Sequence, residues 1–194
     1  MISLVKQDYN ENRKLYEKIE NKLRKKISGD IPITHVGSTA IPSILYGKNI
    51  IDILIGAKDK KQFDDIITTL ISDGYVPSQK SKDEIYQFLS STVGETGSGD
   101  IHIHLVIMRT ERYSEFIILR DYLIHNEEEA TRYSNLKKEI IDKGITDRKE
   151  YKAIKSPYVT ELLTRAKKFY HSLMWFNKCW KNTINSIISA KRSL

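Results

Sequence analysis

The sequence predicts an α+β protein in which a mixed β-sheet is flanked by helices and the carboxyl-terminal third is helical. Two observations predict this class: apolar runs bounded by turn residues alternate with helix-period segments up to residue 110, and only helical patterns follow Glu111. The chain has 194 residues, of which 40% are apolar and 29% charged. This composition is typical of a soluble globular protein, and the length suits a single core.

The first half of the chain supplies helices and strands in alternation. Residues 10–27 carry an apolar residue every fourth position and predict a surface helix, with Leu15 and Ile19 on its apolar stripe. Residues 31–37 predict a short strand that enters a turn, and residues 49–56 predict a buried strand that ends at a glycine.

The next elements follow the same reasoning. Residues 59–73 have helical spacing and Gly74 is placed to end that helix. Residues 85–90 predict a strand, the glycines of 92–100 predict a loop, and 101–108 alternate as a strand does. In the helical third, Pro157 is predicted as the first residue of the last helix, because proline suits that position.

Net charge favours anionic partners. The chain carries 32 basic and 25 acidic side chains, for a formal charge of +7, which does not choose among nucleotides, nucleic acids and acidic lipids. Nucleic acid is unsupported, since no strand interleaves aromatic and basic residues. No apolar run is long enough for a signal peptide or a membrane span, so we expect a cytoplasmic protein. Cys179 is the only cysteine, which excludes an internal disulfide and a thiolate metal cage.

Three polar side chains interrupt two apolar strands. Side chains alternate along a strand, so Asp52 lies on the face opposite Ile51 and Ile53, and His102 and His104 share one face of their strand. A carboxylate in an apolar strand is costly unless it is paired, hydrogen-bonded or bound to a metal ion. If the two strands are neighbours, these three side chains form one cluster that could hold a metal.

Simpler interpretations remain open. Asp52 could cap a loop or pair with Lys48, and the two histidines could lie on a solvated face. The turn at Gly37, Ser38 and Thr39 could cradle a phosphate through hydroxyl and N–H groups, or it could be an ordinary turn in which a hydroxyl caps a short helix.

Several motifs in a fixed order resemble the GrpB (UPF0157) family. They are HVGSTAIP at 35–42, KNIIDI at 48–53, HIH at 102–104, LRDYL at 119–123 and KSPYV at 155–159. The resemblance runs from about residue 8 to 170. It implies a nucleotidyltransferase-like fold, in which a Gly-Ser turn holds a triphosphate and acids of a D-x-D strand and a later strand hold divalent ions.

Two departures from that pattern affect the predicted chemistry. The second acid of D-x-D would fall at residue 54, which is leucine, and histidines stand where the third acid is expected. Magnesium prefers oxygen ligands, whereas imidazole suits zinc or manganese. We therefore predict one divalent ion, Mg, Mn or Zn, held by Asp52, His102 and His104.

The resemblance also suggests roles for further side chains. We expect Gly37, Ser38 and Thr39 to cradle phosphates, and Asp52 and His35 to act in catalysis. Lys48, Arg120 and Lys155 are further candidates for contacts with the anion. An ion pair with Asp121 on the helix surface or between helices is the simpler interpretation of Arg120, and Lys155 could equally be a surface residue.

The leading functional hypothesis is a divalent-metal-dependent nucleotidyltransferase, or a related phosphoryl-group enzyme, acting on a nucleoside triphosphate or another phosphorylated small molecule. The alternatives are a catalytically silent nucleotide or anion binder on the same fold, and a metal-dependent hydrolase using the three-residue cluster. We expect a domain at 1–170 and an amphipathic helical extension at 171–194 that docks on the core, a second copy of the chain or an anionic membrane surface.

Overall fold

A computed structural model describes residues 2–91 and 100–191, with side chains as far as residue 172. The elements, in chain order, are β1 (Val5–Lys6), α1 (Tyr9–Lys26), β2 (Ile33–Val36), a 3-10 turn (Ser38–Ala40), β3 (Tyr46–Gly47), β4 (Ile51–Ala57), α2 (Lys60–Ser72), β5 (Val76–Asp83), β6 (Tyr86–Ser90), β7 (Ile101–Ile107), α3 (Glu111–His125), α4 (Glu127–Asp142) and α5 (Arg148–Lys191).

The main sheet has five strands in the order β2-β4-β7-β6-β5. Strands β4 and β7 are parallel, whereas the other three pairs are antiparallel. The mixed sheet, the flanking helices and the helical carboxyl-terminal part confirm the predicted α+β fold class. In the β4–β7 ladder Asp52 stands opposite His102, and Leu54 stands opposite His104, so all four side chains share one face of the sheet.

One face of the sheet carries the largest apolar core. Ile53 of β4 and Leu105 of β7 are fully buried there against Leu23 of α1 and Phe63 of α2. Helix α1 begins at the side chain of Asp8, which accepts from the backbone N–H of Glu11. Leu15, by contrast, is exposed, because residues four apart drift about 40° around a helix at each step.

The opposite face is only partly covered. Val36, Leu54 and Val106 pack there under Phe116 and Ile117 of α3. Leu54 is fully buried in this contact, so α3 occupies the region where the second acid of D-x-D would project. The part of this face beside Asp52 and the histidines is left to form a site.

The last three helices build a second core. Its buried members come from the segment after the 3-10 turn and from α3, α4 and α5; they are Ile41, Ile44, Tyr122, Leu123, Ala130, Tyr133, Leu162 and Ala166. The side chain of Ser134 in α4 accepts hydrogen bonds from the backbone N–H groups of Leu45 and Tyr46. These contacts hold α4 beside the start of β3.

One predicted boundary is wrong. Pro157 lies inside α5, which begins at Arg148. The Asp147 carboxylate accepts from the backbone N–H groups of Lys149 and Glu150, and this cap starts the helix well before the proline. No helix in the described part of the chain is long and apolar enough to span a membrane.

Other predictions lie outside the described residues. The glycine-rich loop falls mostly on residues 92–99, and the apolar stripe of the extension depends on side chains beyond residue 172. The backbone of α5 is helical to Lys191, but the division at residue 170 and the docking of the extension stay predictions.

Candidate active site

The Gly-Ser turn places the backbone directly against Asp52. Gly37 has φ 73° and ψ −169°, a conformation that residues with a Cβ rarely adopt. A Cβ built on Gly37 would lie 2.3 Å from Oδ2 of Asp52. Glycine is therefore required here both for the backbone conformation and for the close approach.

Asp52 lies between the two histidines of β7. Its Oδ1 is 3.2 Å from Nδ1 of His102 and 3.6 Å from Nε2 of His104. Burial opposes ionisation of the carboxyl, but hydrogen bonding to His102 and His104 outweighs it and holds the pKa of Asp52 below its usual range. Asp52 is thus a carboxylate at neutral pH, and the His102 contact assigns the proton of that ring to Nδ1.

The remaining nitrogen atoms of the two rings differ. Nδ1 of His104 lies 3.0 Å from the Tyr86 hydroxyl, which can donate to it. Nε2 of His102 is buried and has no hydrogen-bond partner among the described residues. With its proton on Nδ1, His102 presents at Nε2 an unused lone pair, which can accept a proton or bind a ligand.

The same geometry tests the predicted metal site. The described part of the chain contains no group of three His, Cys, Asp or Glu side chains arranged to hold a metal ion. His102 and His104 both direct a nitrogen at the same oxygen of Asp52, so the lone pairs do not converge on a common centre. As placed, these three side chains do not fit a metal ion, and metal dependence stays a prediction.

Three lysines converge beside Asp52. Lys48 precedes β4, Lys137 is on α4 and Lys155 is on α5, and all three line a cavity of about 150 Å³ together with Ser38, Asp52 and His102. Among the described residues no carboxylate lies within 4.0 Å of any of the three ammonium groups. The cavity thus combines one carboxylate with an excess of positive charge.

Lys137 is the most buried of these lysines, with 3% of its surface exposed. Burial, and after it the positive charge of Lys155, lowers the pKa of Lys137 to about 7. Burial and the charge of Lys155 also lower the pKa of Lys48. The Lys137 Nζ lies 3.1 Å from the Ser38 Oγ, which ties α4 to the Gly-Ser turn.

A second cavity of about 250 Å³ adjoins the first and shares Ser38, Asp52 and Lys155 with it. His104 and Arg120 line the second cavity, and the two cavities together form the cleft over Asp52. The Arg120 guanidinium lies 2.5 Å from a carboxylate oxygen of Asp121, so Arg120 has the ion pair that the sequence offered as its simpler interpretation while it also borders the cleft.

Two predicted site residues have structural contacts instead of cavity positions. His35 stands opposite Ile53 in the β2–β4 ladder, on the face away from Asp52, and its ring stacks on Tyr16 with centroids 4.6 Å apart. Burial lowers the pKa of His35 to about 4, so the ring is neutral at pH 7. The Thr39 hydroxyl is buried, donates to the Ile50 carbonyl and contacts the His35 Nε2 at 3.0 Å.

Sequence reasoning missed Lys137, Tyr133 and Tyr151, which also line the lysine-rich cavity. A signal for Lys137 was present. The buried face of α4 follows helical spacing through Ala130, Tyr133, Ser134, Lys137 and Ile140, so this lysine occupies a core position of an amphipathic helix. The adjacent charges of NLKKEIID hid that pattern, because a run of charged residues usually marks a solvated face.

Comparison with known proteins identifies the family. The family model described as GrpB protein matches residues 2–165. The chain belongs to the GrpB family. A protein of Alkalihalophilus pseudofirmus named glutamate-rich protein GrpB is 30% identical over 154 residues, which is 78% of this chain and 88% of that one. A UPF0157 protein of Streptomyces coelicolor is 24% identical over 140 residues, covering 72% of this chain and 71% of the relative.

A solved structure shares the fold. The crystal structure of conserved protein GrpB from Enterococcus faecalis has a TM-score of 0.74 and 20% sequence identity, and the match covers 87% of this chain and 99% of that one. At this identity the likeness supports the GrpB fold alone.

Proposed function

We propose that this GrpB family member binds the phosphate groups of a nucleotide or another phosphorylated small molecule in the cleft over Asp52, and that it transfers or hydrolyses a phosphoryl group there. The observation that carries the proposal is the convergence of Lys48, Lys137 and Lys155 on one cavity that contains a single carboxylate. Phosphate is the common biological ligand that offsets clustered ammonium groups.

Electrostatics favours an anion at this position. Two unit charges 4 Å apart interact by about 4 kcal/mol near a protein surface, so neighbouring ammonium groups in a half-buried cavity repel one another appreciably. The lowered pKa of Lys137 reflects burial and this repulsion. A bound phosphate attracts the ammonium groups of Lys48 and Lys155 and so offsets their repulsion, and the Ser38 hydroxyl, which lines the same cavity, adds a hydrogen-bonding group.

His102 provides the acid–base chemistry in this proposal. Asp52 holds the His102 ring through Nδ1 at 3.2 Å, and Nε2 has no partner among the described residues. The Nε2 lone pair takes the proton of an attacking water or hydroxyl group, and the carboxylate of Asp52 stabilises the imidazolium that forms. Lys48 and Lys155 neutralise charge on the phosphoryl group and on the leaving oxygen.

Thermal shift with defined probes tests binding. Inorganic pyrophosphate, ATP and unphosphorylated adenosine are compared with EDTA present. We expect pyrophosphate and ATP, but not adenosine, to stabilise the protein, by about 2.7 kcal/mol when the ligand is at 100 times its Kd. Lys48→Met and Lys155→Met should abolish the shift. Lys138→Met is the matched control, because Lys138 is exposed and paired with Asp142. No shift with any phosphorylated probe, with or without metal, overturns the proposal.

Metal dependence is the separate arm of this experiment. Repeating the titration with Mg²⁺, Mn²⁺ or Zn²⁺ in place of EDTA asks whether Asp52, His102 and His104 rearrange around an ion. A shift that requires the metal supports the metal-dependent reaction and contradicts recognition by lysines alone.

A catalytically silent anion binder is the second candidate. It is favoured by Leu54, which is fully buried where the family resemblance places the second acid of the D-x-D strand. Phosphate release from nucleoside triphosphates separates the two functions. If the protein is an enzyme, the native protein releases phosphate, and His102→Gln loses this activity but keeps the thermal shift. If it is a silent binder, both the native protein and His102→Gln show the thermal shift and neither releases phosphate.

A further inference from the structure

Ser38 and Lys137 form a contact that phosphate binding does not require. They lie 99 residues apart in the chain, yet Nζ of Lys137 is 3.1 Å from Oγ of Ser38. Both side chains line the same cavity. At this separation an ammonium group donates to the hydroxyl oxygen, while a neutral amine accepts the hydroxyl proton.

The surroundings of Lys137 favour the neutral amine. The side chain is almost completely buried, and no carboxylate in the described part of the chain pairs with it. The other two lysines of the cavity, Lys155 and Lys48, disfavour a third charge. Asp52 and the Tyr133 ring, whose centroid lies 4.8 Å from the Lys137 Nζ, favour the charged form, but burial and the two lysines outweigh them. These conditions lower the pKa of Lys137 to about 7, so a large fraction of the amine is free to accept a proton near neutral pH.

Ser38 is held as a nucleophile must be. It opens the 3-10 turn directly after Gly37, and the buried Thr39 hydroxyl anchors that turn to the Ile50 carbonyl. Ser38 itself is half-buried and borders both halves of the cleft. Its hydroxyl is thus fixed in position and open to a ligand, which limits the entropy lost on attack.

We propose that Ser38 is a nucleophile activated by Lys137 and that it accepts a phosphoryl group from the ligand bound in the cleft. The Ser38 Oγ forms a bond to phosphorus, the bond from phosphorus to the leaving phosphate oxygen breaks, and the Ser38 proton passes to the Lys137 amine. The electrophile rests on the proposed function, whereas the serine–lysine pair does not depend on it.

His102 completes the cycle that this pair begins. His102 lines the same cavity as Ser38, and its buried Nε2 has no hydrogen-bond partner among the described residues. A water whose proton passes to this nitrogen attacks the phosphorus, and the bond between phosphorus and the Ser38 Oγ breaks. The Oγ then regains a proton from the Lys137 ammonium, which restores the neutral amine, and the His102 imidazolium passes its proton to the departing phosphate.

A fluorophosphonate probe tests the nucleophile without requiring the natural ligand. Oγ displaces fluoride from the probe, and peptide mapping by mass spectrometry locates the added phosphonyl group. We expect labelling of Ser38 in the full-length protein, at a rate that rises as the pH passes about 7. Ser38→Ala should remove the label, and Lys137→Met should slow labelling about 100-fold, as the loss of a general base does. Lys138→Met should label like the native protein.

Lys137→Arg tests the same role of Lys137 if Lys137→Met fails to fold. Arginine can still donate to Ser38 but cannot become neutral, so labelling should remain slow in a protein that melts normally. Absence of label on Ser38 in the native protein, or an unchanged labelling rate in a folded Lys137→Arg protein, overturns the inference. If pyrophosphate shifts the melting temperature but Ser38 is not labelled, the nucleophile inference is wrong and the proposed function stands. If Ser38 is labelled but no phosphorylated probe shifts the melting temperature, the proposed function is wrong and the nucleophile inference stands.

Discussion

Gly37→Ala tests whether the Gly-Ser turn and Asp52 form one rigid unit. Alanine adds a Cβ 2.3 Å from Oδ2 of Asp52 and 2.9 Å from its Cβ and Cγ. The contact with Cβ and Cγ cannot be relieved by rotating the carboxylate alone. Either the turn or β4 must move, and a displaced Asp52 no longer meets His102 at hydrogen-bonding distance.

The expected loss of stability has two parts. A residue with a Cβ at φ 73° and ψ −169° costs on the order of 1–3 kcal/mol. Overpacking against Asp52 adds about 1–3 kcal/mol. The sum is about 2–6 kcal/mol, and for a chain of this size each kcal/mol lowers Tm by about 2–4 °C. We therefore expect Tm to fall by at least about 4 °C, together with loss of the pyrophosphate shift.

Gly74→Ala is the matched control. Gly74 also has a positive φ, 91°, but a Cβ there meets nothing within 4 Å, so only the conformational part of the cost applies. Urea denaturation of both variants gives the difference in unfolding free energy. If Gly37→Ala is no more destabilising than Gly74→Ala, or if it binds pyrophosphate normally, then the close approach to Asp52 does not shape the site.

Three further predictions concern titration and charge. The pKa of His35 is about 4 instead of 6.5, so the unfolded chain takes up a proton at a higher pH than the folded protein does. The free energy of unfolding should therefore drop by about 3 kcal/mol between pH 6.5 and 4, and urea denaturation of His35→Asn should not show this pH dependence. The pKa of Asp52 is lowered, so the stability that Asp52 contributes is present above the ordinary carboxyl pKa of 3.8 and is lost as the pH falls below it. Asp52→Asn should be about 1–3 kcal/mol less stable than the native protein at pH 7, and acid titrations followed by circular dichroism should show the difference disappear in strong acid. The pKa of Lys137 is lowered to about 7 from 10.5, so the native protein should gain stability from pH 7 to 10.5, whereas denaturation of Lys137→Met over that range should show a flatter profile and higher stability at pH 7.

The grouping of Asp52, His102 and His104 follows from the sequence in part. Strand alternation puts the two histidines on one face, whereas their meeting with Asp52 also needs β4 and β7 to be neighbours in the register that pairs Asp52 with His102. Once β4 and β7 pair in that register, the period of two puts all three side chains on one face whatever the loops do. The functional meaning of that cluster does not follow from alternation. It depends on which nitrogen faces the carboxylate, and the ring orientations at 3.2 and 3.6 Å are set by packing against neighbours such as Phe88 and Phe116.

The position of His35 shows where sequence proximity misleads. His35 is two residues before Gly37, but the antiparallel register pairs it with Ile53, and so its ring lies on the α1 face. From that face, the His35 ring contacts the Thr39 hydroxyl and so helps to fix the turn. Lys137 is the opposite case, since it is 85 residues from Asp52 in the chain and reaches the cavity only because the second core holds α4 beside the turn. Such long-range placement is not encoded in any local pattern.

The buried Leu54 and the three lysines together favour the proposed phosphate binding by lysines over a site built from several acids and divalent ions. In a site built from several acids, divalent ions supply the positive charge that meets a triphosphate. Here α3 covers the strand position that a second acid would use, and only one carboxylate faces the cavity alongside three lysines. Divalent ions would add charge to a cavity that is already positive, whereas phosphate would offset it. In the proposed function, lysine side chains therefore make the phosphate contacts, and Asp52 has the role of orienting His102.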